Sequence, residues 1–169
     1  PNPARAVIMV GAYAPCAEFI KCARACGFDP LFLIVSFVGA SPLAKALGSA
    51  GEGVIVTQVV PHFESDLPIV KQYRAALGAH DPKLEPSFGS LEGYVAGRIF
   101  CRAIANVAGP LTRENIVDAL LGLGRFDIGL GVELSLSPKD PQACHQVWPT
   151  ILQGGKIVPF DWTHLSERV

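Results

Sequence analysis

A turn between an apolar run and a helix is the first place where the sequence offers groups for chemistry. The stretch "VIMVGAYAPCAEFIKCARACGF", residues 7–28, ends its apolar run at Gly11 and then reads Ala-Tyr-Ala-Pro. A dinucleotide site needs G-x-G-x-x-G here, and a phosphate loop needs Gly-Lys-Ser/Thr. A nucleophile elbow needs Ser, Cys or Asp at the apex, where Tyr13 stands. What remains is an aromatic side chain at a strand end, beside the N–H groups of a helix start; the alternative is a surface tyrosine that covers the strand end.

Two groups of residues have side chains that bind metals in other proteins. Cys22 and Cys26 lie four apart on the first predicted helix, but no second pair of ligands accompanies them, so cysteines serving as small buried hydrophobes are the favoured interpretation. His62, Glu64 and Asp66 lack the spacing of a known metal site and indicate a solvated loop. The sequence predicts no catalytic set, no metal site and no cofactor.

Composition excludes some broad classes of function. The 169 residues are 50% hydrophobic and 17% charged, with a formal net charge of -1, which supplies ample material for a buried core. Lys and Arg are not clustered, so a general nucleic-acid surface is not expected. No apolar run approaches the roughly 18 residues of a membrane span. Residues 1–10 show no signal-type leader, so compartment cannot be read from this end.

The first sixty residues predict alternating strands and helices. Apolar strands are expected at residues 6–10, 31–35 and 53–60, with both faces of the sheet covered. Helices are expected between them, the second with Ser41 as its cap and Pro42 at its first position. This alternation is typical of a parallel α/β sheet.

After Pro61 the pattern changes to three consecutive helices. They are predicted to begin at a Ser65 cap, near Phe88, and at a Thr112 capping box. The last forty residues predict short strands, with His145 and Trp148 on one of them. Three helices that bury their apolar stripes against one another would leave a five-stranded sheet half covered. The predicted elements therefore indicate parts of two α/β lobes.

This order of elements resembles the bacterial periplasmic binding proteins of the leucine/isoleucine/valine-binding type, the solute receptors of ABC importers. The matching segments are "AVIMVGAYAPCAEFIKCARACGF", "GEGVIVTQVVP", "PSFGSLEGYVAGRIFCRAI", "LTRENIVDALLGL" and "VWPTILQGGKIVPF". No single segment is diagnostic, but their order and spacing together are specific. The resemblance implies the type I fold, in which two parallel-sheet lobes joined by three crossings close on a ligand by hinge rotation.

The resemblance also implies how the chain is divided. Residues 1–60 match the later part of the second lobe, residues 61–142 the later part of the first lobe, and residues 143–169 return to the second. The family's opening half has no counterpart, so the fold is expected to be incomplete, as the C-terminal half of a receptor. Implied as well are a periplasmic or extracellular location, a small-molecule ligand, and the membrane subunits of an ABC transporter as partners.

The predicted ligand-binding residues are Tyr13, Ala14, Ser36, Phe37 and Phe88; the resemblance implies the positions of Tyr13 and Ser36, and the aromatic rings of Phe37 and Phe88 are expected to pack on the ligand. Ser36 stands where amino-acid-binding members carry an acidic residue that pairs with the ligand ammonium. A buried ammonium without a carboxylate is poorly compensated. Either another acid takes this role, or the ligand is not a free α-amino acid but a carboxylate-bearing or neutral, partly apolar molecule. Core packing is the alternative for Phe37 and Phe88.

The sequence leaves two alternative functions possible. One is the ligand-sensing domain of a membrane signalling receptor, which a transmembrane segment in the full gene would favour. The other is a fragment of an α/β enzyme, which turnover against a substrate panel would reveal.

Overall fold

The computed structural model describes residues 4–36 and 39–167 and divides the chain into two compact units. Unit 1 combines the chain up to His62 with the chain from Val147 onward, and unit 2 is Phe63–Gln146. Unit 1 has a five-stranded sheet, and unit 2 has three consecutive helices and a two-stranded sheet. The predicted α/β class with parallel strands is confirmed. The assignment of residues 1–60, 61–142 and 143–169 to two lobes stays a prediction.

The sheet of unit 1 is parallel at one side and antiparallel at the other, in the order β1-β2-β3-β6-β7. Its strands are β1 Ala6–Met9, β2 Leu31–Val35, β3 Ile55–Gln58, β6 Trp148–Gln153 and β7 Lys156–Pro159. The first three pair in parallel because a helix returns the chain between them. The last two are joined by Gly154 and Gly155, whose positive φ values of 56° and 74° suit a tight hairpin turn.

Two helices cover one face of this sheet: α1 Tyr13–Ala25 and α2 Ala40–Leu47, the second followed by a 3-10 turn at Gly48–Gly51. Ile20 and Leu43 are fully buried, and each such side chain contributes about 1.5–3 kcal/mol relative to an exposed one. Arg24 fixes the end of α1 by donating to the carbonyls of Ala50 and Glu52. These contacts fix the C-terminal end of α1 against the segment that leads into β3.

Unit 2 is formed by α3 Pro68–His80, α4 Phe88–Ile104, α5 Arg113–Leu121 and the antiparallel strands β4 Gly124–Phe126 and β5 Leu134–Leu136. The predicted apolar stripe of α4 is confirmed for Phe88, Leu91 and Val95, which are buried. The cap predicted at Thr112 is also confirmed, because its hydroxyl accepts the N–H of Asn115 at 3.2 Å.

Two predicted helix caps are wrong. The second helix begins at Ala40 with Gly39 as its N-cap, so Ser41 already lies inside the first turn. The third helix begins at Pro68, and Ser65 is two residues too early to cap it. The fixed φ of Pro68 sets that helix start, and the Ser65 hydroxyl is buried with no hydrogen-bond partner in the described part of the chain.

Three further expectations are corrected. Of the cysteines, Cys16 is buried, but Cys22 and Cys26 are exposed, so neither of them acts as a buried hydrophobe. His145 lies in a loop before β6, where it pairs with Asp140, and not on a strand. Strand β1 is not covered on both faces, because Ile8 is 75% exposed.

Candidate functional site

The turn after β1 ends in a helix start that no side chain caps. The N-cap Ala12 has extended backbone angles and a methyl side chain, and no acidic residue lies in the first turn. The first intrahelical bond joins the Cys16 N–H to the Ala12 carbonyl at 3.3 Å. The N–H groups of Tyr13 and Ala14 therefore precede the helix ladder and lie at the positive end of the helix dipole. This arrangement suits a hydrogen-bond acceptor or an anion.

The Tyr13 side chain is available at this turn, since it is 44% exposed, and Ala14 beside it is exposed too. Cys16 lies beneath the turn and is buried; a Cβ added to Gly11 would lie 3.3 Å from its sulfur. Burial raises the pKa of the Cys16 thiol and so disfavours its reactive thiolate form. The turn offers an aromatic ring and two N–H groups, without an acid–base pair.

A second helix start lies at the same edge of the sheet. Because β1 and β2 are parallel neighbours, their carboxyl ends meet at one edge. Ser36 follows β2 directly and is half-buried, and its carbonyl accepts the Gly39 N–H at 3.1 Å. The α2 N-cap, Gly39, has no side chain to cap with. Ser36 can offer a hydroxyl here but no charge; Phe37 lies outside the described residues.

Phe88 belongs to unit 2, at the first position of α4. Its side chain is 8% exposed and packs edge-on against Phe63, with ring centroids 4.9 Å apart. This is the packing of a core aromatic, which supports the alternative considered for this residue from sequence. Its predicted role in ligand binding is untested.

Comparison with known families identifies the architecture. Residues 3–156 match the model of a family described as periplasmic binding protein. The chain belongs to the periplasmic binding protein family. A search of curated proteins returned no significant match.

Solved structures agree with this membership. A possible leucine/isoleucine/valine-binding protein from Rhodopirellula baltica is 49% identical with a TM-score of 0.91, over 95% of this chain and 44% of that one. The fold is also shared with a fatty acid ABC transporter substrate-binding protein from Thermomonospora curvata (22% identity, TM-score 0.77, 92% and 42% covered). A branched chain amino acid ABC transporter protein from Thermus thermophilus with bound valine has 21% identity and a TM-score of 0.71, with 91% and 44% covered. The resemblance inferred from sequence is confirmed, and the chain spans less than half the length of these relatives.

Among the described residues, the cluster of His62, Glu64 and Asp66 does not form a metal site. His62 is 9% exposed, and its Nε2 lies 3.1 Å from the Ile157 carbonyl. This contact joins residue 62, where the first of the two chain segments of unit 1 ends, to β7. Within residues 4–36 and 39–167, no group of three His, Cys, Asp or Glu side chains is arranged to hold a metal ion. None of the helices formed by those residues is long and apolar enough to cross a bilayer.

A cavity of about 330 Å³ in unit 2 lies between the end of the loop that joins β4 to β5 and the loop that precedes β6. Its lining includes the exposed pair of His145 and Asp140, with 3.0 Å between Nε2 and Oδ2. The hydrogen bond from His145, with the Gln142 N–H, lowers the pKa of Asp140. Tyr13, Ala14, Ser36 and Phe88, the described residues that are predicted to bind ligand, do not line this cavity.

Sequence analysis missed that both helix starts at this sheet edge lack caps. The signal was present, because alanine and glycine at positions 12 and 39 are residues without a capping side chain. It could be recognised once the helix boundaries were known.

Proposed function

We propose that this chain is part of an extracytoplasmic receptor that captures a small carboxylate-bearing or amino-acid-like ligand for an ABC importer. Family membership supports a solute-binding role without catalysis. The observation that carries the ligand site is the uncapped start of α1, with Tyr13 exposed beside it. A carboxylate that accepts the N–H groups of Tyr13 and Ala14 would gain two charge-assisted hydrogen bonds at the positive end of the helix.

The ligands for which two of the relatives are named agree with this proposal. Valine, bound in the Thermus protein, and the fatty acid named for the Thermomonospora protein both carry a carboxylate on an apolar body. Tyr13 supplies a surface for the apolar part, and Ser36 supplies a hydroxyl near the second helix start. Since Ser36 carries no charge, we expect apolar organic acids to bind at least as well as the matching amino acids.

In the full-length receptor, ligand binding would favour the closed arrangement, which the membrane subunits of the transporter then recognise. The periplasm, or the outer face of the cell, is the compartment in which such a receptor works. Phe37 and Phe88 stay in the proposal as secondary ligand contacts, with Phe88 the weaker of the two because its ring is buried.

The test uses the full-length protein and a panel of branched-chain amino acids and short organic acids. Thermal shift identifies binders, and isothermal titration calorimetry then measures Kd. Tyr13→Ala is expected to weaken binding tenfold or more. Phe19→Ala is the matched control, since Phe19 lies on the same helix, is 47% exposed and packs on Phe32. Equal affinities of wild type and Tyr13→Ala would refute the role of Tyr13, and binding by no panel member would refute the ligand class.

A further inference from the structure

Two exposed cysteines lie one turn apart at the C-terminal end of α1. Cys22 and Cys26 are free thiols, and neither takes part in the proposed ligand site. The Cys26 N–H donates to the Cys22 carbonyl at 3.1 Å, so the helical spacing extends to Cys26. Side chains four residues apart in a helix lie on one face, and the later one is directed back towards the earlier one. The two sulfur atoms therefore share one exposed surface.

The helix end that carries this pair is fixed by several hydrogen bonds. Gly27 has a φ of 76°, and its N–H bonds to the Arg24 carbonyl at 3.0 Å. The Phe28 N–H bonds to the Ala23 carbonyl at 2.9 Å, which completes a Schellman motif. The Arg24 side chain adds two hydrogen bonds to the segment that leads into β3. The two cysteines are therefore pre-organised on a backbone that resists rearrangement.

The spacing of the pair decides between the two reactions open to neighbouring thiols. Cβ atoms four residues apart on a helix are separated by about 5–6 Å, whereas a disulfide requires a separation of about 3.5–4.5 Å. Formation of a disulfide would therefore have to distort the fixed turn around Cys26. A metal ion held in a line between two thiolates spans a longer gap and needs no such change. The geometry favours a bridging ion over a disulfide.

The number of ligands selects the type of ion. A structural zinc site takes four protein ligands, and within residues 4–36 and 39–167 no third His, Cys, Asp or Glu joins the two cysteines. Thiolates are soft ligands that select Cu(I), a cation that is stable with only two ligands. The partial negative charge at the C-terminus of a helix also favours a bound cation.

We propose that Cys22 and Cys26 form a two-coordinate site for Cu(I). Each sulfur atom forms a bond to the ion and releases its proton to solvent, and the oxidation state of the copper does not change. The site lies at the opposite end of α1 from Tyr13, so this inference is independent of the ligand proposed there.

The test is a competition titration of the full-length protein with Cu(I) and a chromophoric Cu(I) chelator, without oxygen and with the thiols reduced. Cys22→Ser and Cys26→Ser should each weaken Cu(I) binding by about a hundredfold or more, because the second thiolate is then no longer supplied at a high effective concentration. Cys101→Ser is the matched control and should leave Kd unchanged, since Cys101 is an exposed thiol on α4 with no cysteine four residues away.

A rescue variant tests the spacing itself. Glu18 lies four residues before Cys22, and its side chain is 69% exposed. Glu18→Cys combined with Cys26→Ser recreates the pair one turn earlier, so it should restore binding to within about tenfold of wild type. X-ray absorption at the copper edge should show two sulfur ligands in the wild type and in the rescue variant.

Wild-type affinity in Cys22→Ser, an equal loss in Cys101→Ser, or no rescue by Glu18→Cys would overturn the proposal. Three or more sulfur ligands around the copper would overturn it too, because the ion would then be shared with other thiols. Purified protein that carries a Cys22–Cys26 disulfide would contradict the argument from spacing.

Discussion

The two units differ in how the first backbone N–H groups of their helices are hydrogen-bonded. In unit 2, Ser87 and Thr112 cap α4 and α5 through their hydroxyls. The remaining helix, α3, begins with a proline that has no N–H, and the next donor, the Ile69 N–H, bonds to the Gly129 carbonyl. In unit 1, the N-cap residues of α1 and α2 are Ala12 and Gly39, and neither helix has a side-chain cap.

The difference concerns which groups accept hydrogen bonds from the N–H groups at the helix N-termini. Helix starts in unit 2 are satisfied from within and contribute to stability. Those in unit 1 lie at the carboxyl edge of parallel strands, where α/β sheets bind ligands. We interpret the missing cap at Ala12 as donors left for a ligand, at a cost in stability of about 1 kcal/mol. Gly39 has a φ of 77°, which favours glycine, and costs only about a few tenths of a kcal/mol relative to a capping side chain.

The largest expected effect comes from disturbing the network at the start of α4. Tyr73 is 2% exposed, and its hydroxyl accepts the Ser87 N–H at 3.0 Å and bonds to the Ser90 hydroxyl. Tyr73→Phe leaves these groups without that partner, so the free energy of unfolding should fall by about 1–3 kcal/mol. Urea unfolding measures the change. Tyr94→Phe, at an exposed hydroxyl bonded to Arg98, is the control and should cost much less; equal losses would contradict the account.

Removing the cap of α5 should have a smaller effect. Thr112→Ala deletes the acceptor of the Asn115 N–H and is expected to lower the free energy of unfolding by about 1 kcal/mol. Thr112→Ser retains the hydroxyl and should stay near wild type in the same unfolding experiment. A loss with Thr112→Ser as large as with alanine would show that the methyl group, and not the cap, matters.

Supplying a cap to α1 should act in the other direction. Ala12 already has the extended backbone of an N-cap residue, so Ala12→Ser should raise the free energy of unfolding by somewhat less than about 1 kcal/mol. Ala14→Ser, two positions further, lies inside the first turn and should give no such gain. If Ala12→Ser does not stabilise the protein, the donors of α1 are already satisfied and the comparison between the units fails.

The smallest effect concerns the loop of unit 2 before β6. The His145 hydrogen bond lowers the pKa of Asp140, so any stability from this pair is present above the ordinary carboxyl pKa and is lost as pH falls through the folded one. His145→Ala should move the pKa of Asp140 up towards its usual value, as followed by carboxyl NMR titration. Asp161, whose pKa is lowered by the Thr163 amide, is the internal control and should not move. An unchanged Asp140 would remove His145 as the cause.

Sequence patterns were sufficient for the α/β class and for the cap at Thr112, because hydrophobic periodicity and a local capping box carry that information. They wrongly assigned Ser41 and Ser65 as helix caps, because the backbone conformations of Gly39 and Pro68 set the helix starts. Strand β1 was expected to be covered on both faces because its residues are all apolar, but Ile8 is 75% exposed. Tyr13 could be placed at a strand end from sequence, but the missing cap beside it required the structure.

The most direct test of the central claim adds one negative charge at either kind of helix start. In the full-length protein, calorimetry would compare wild type with Ala12→Asp and with Thr112→Asp, using the tightest carboxylate ligand of the panel. Ala12→Asp places a carboxylate on the donors of α1, so binding should weaken at least tenfold, whereas Thr112→Asp retains a cap in unit 2 and should leave Kd unchanged. Equal affinity of all three proteins would contradict the assignment of the α1 start as the ligand site.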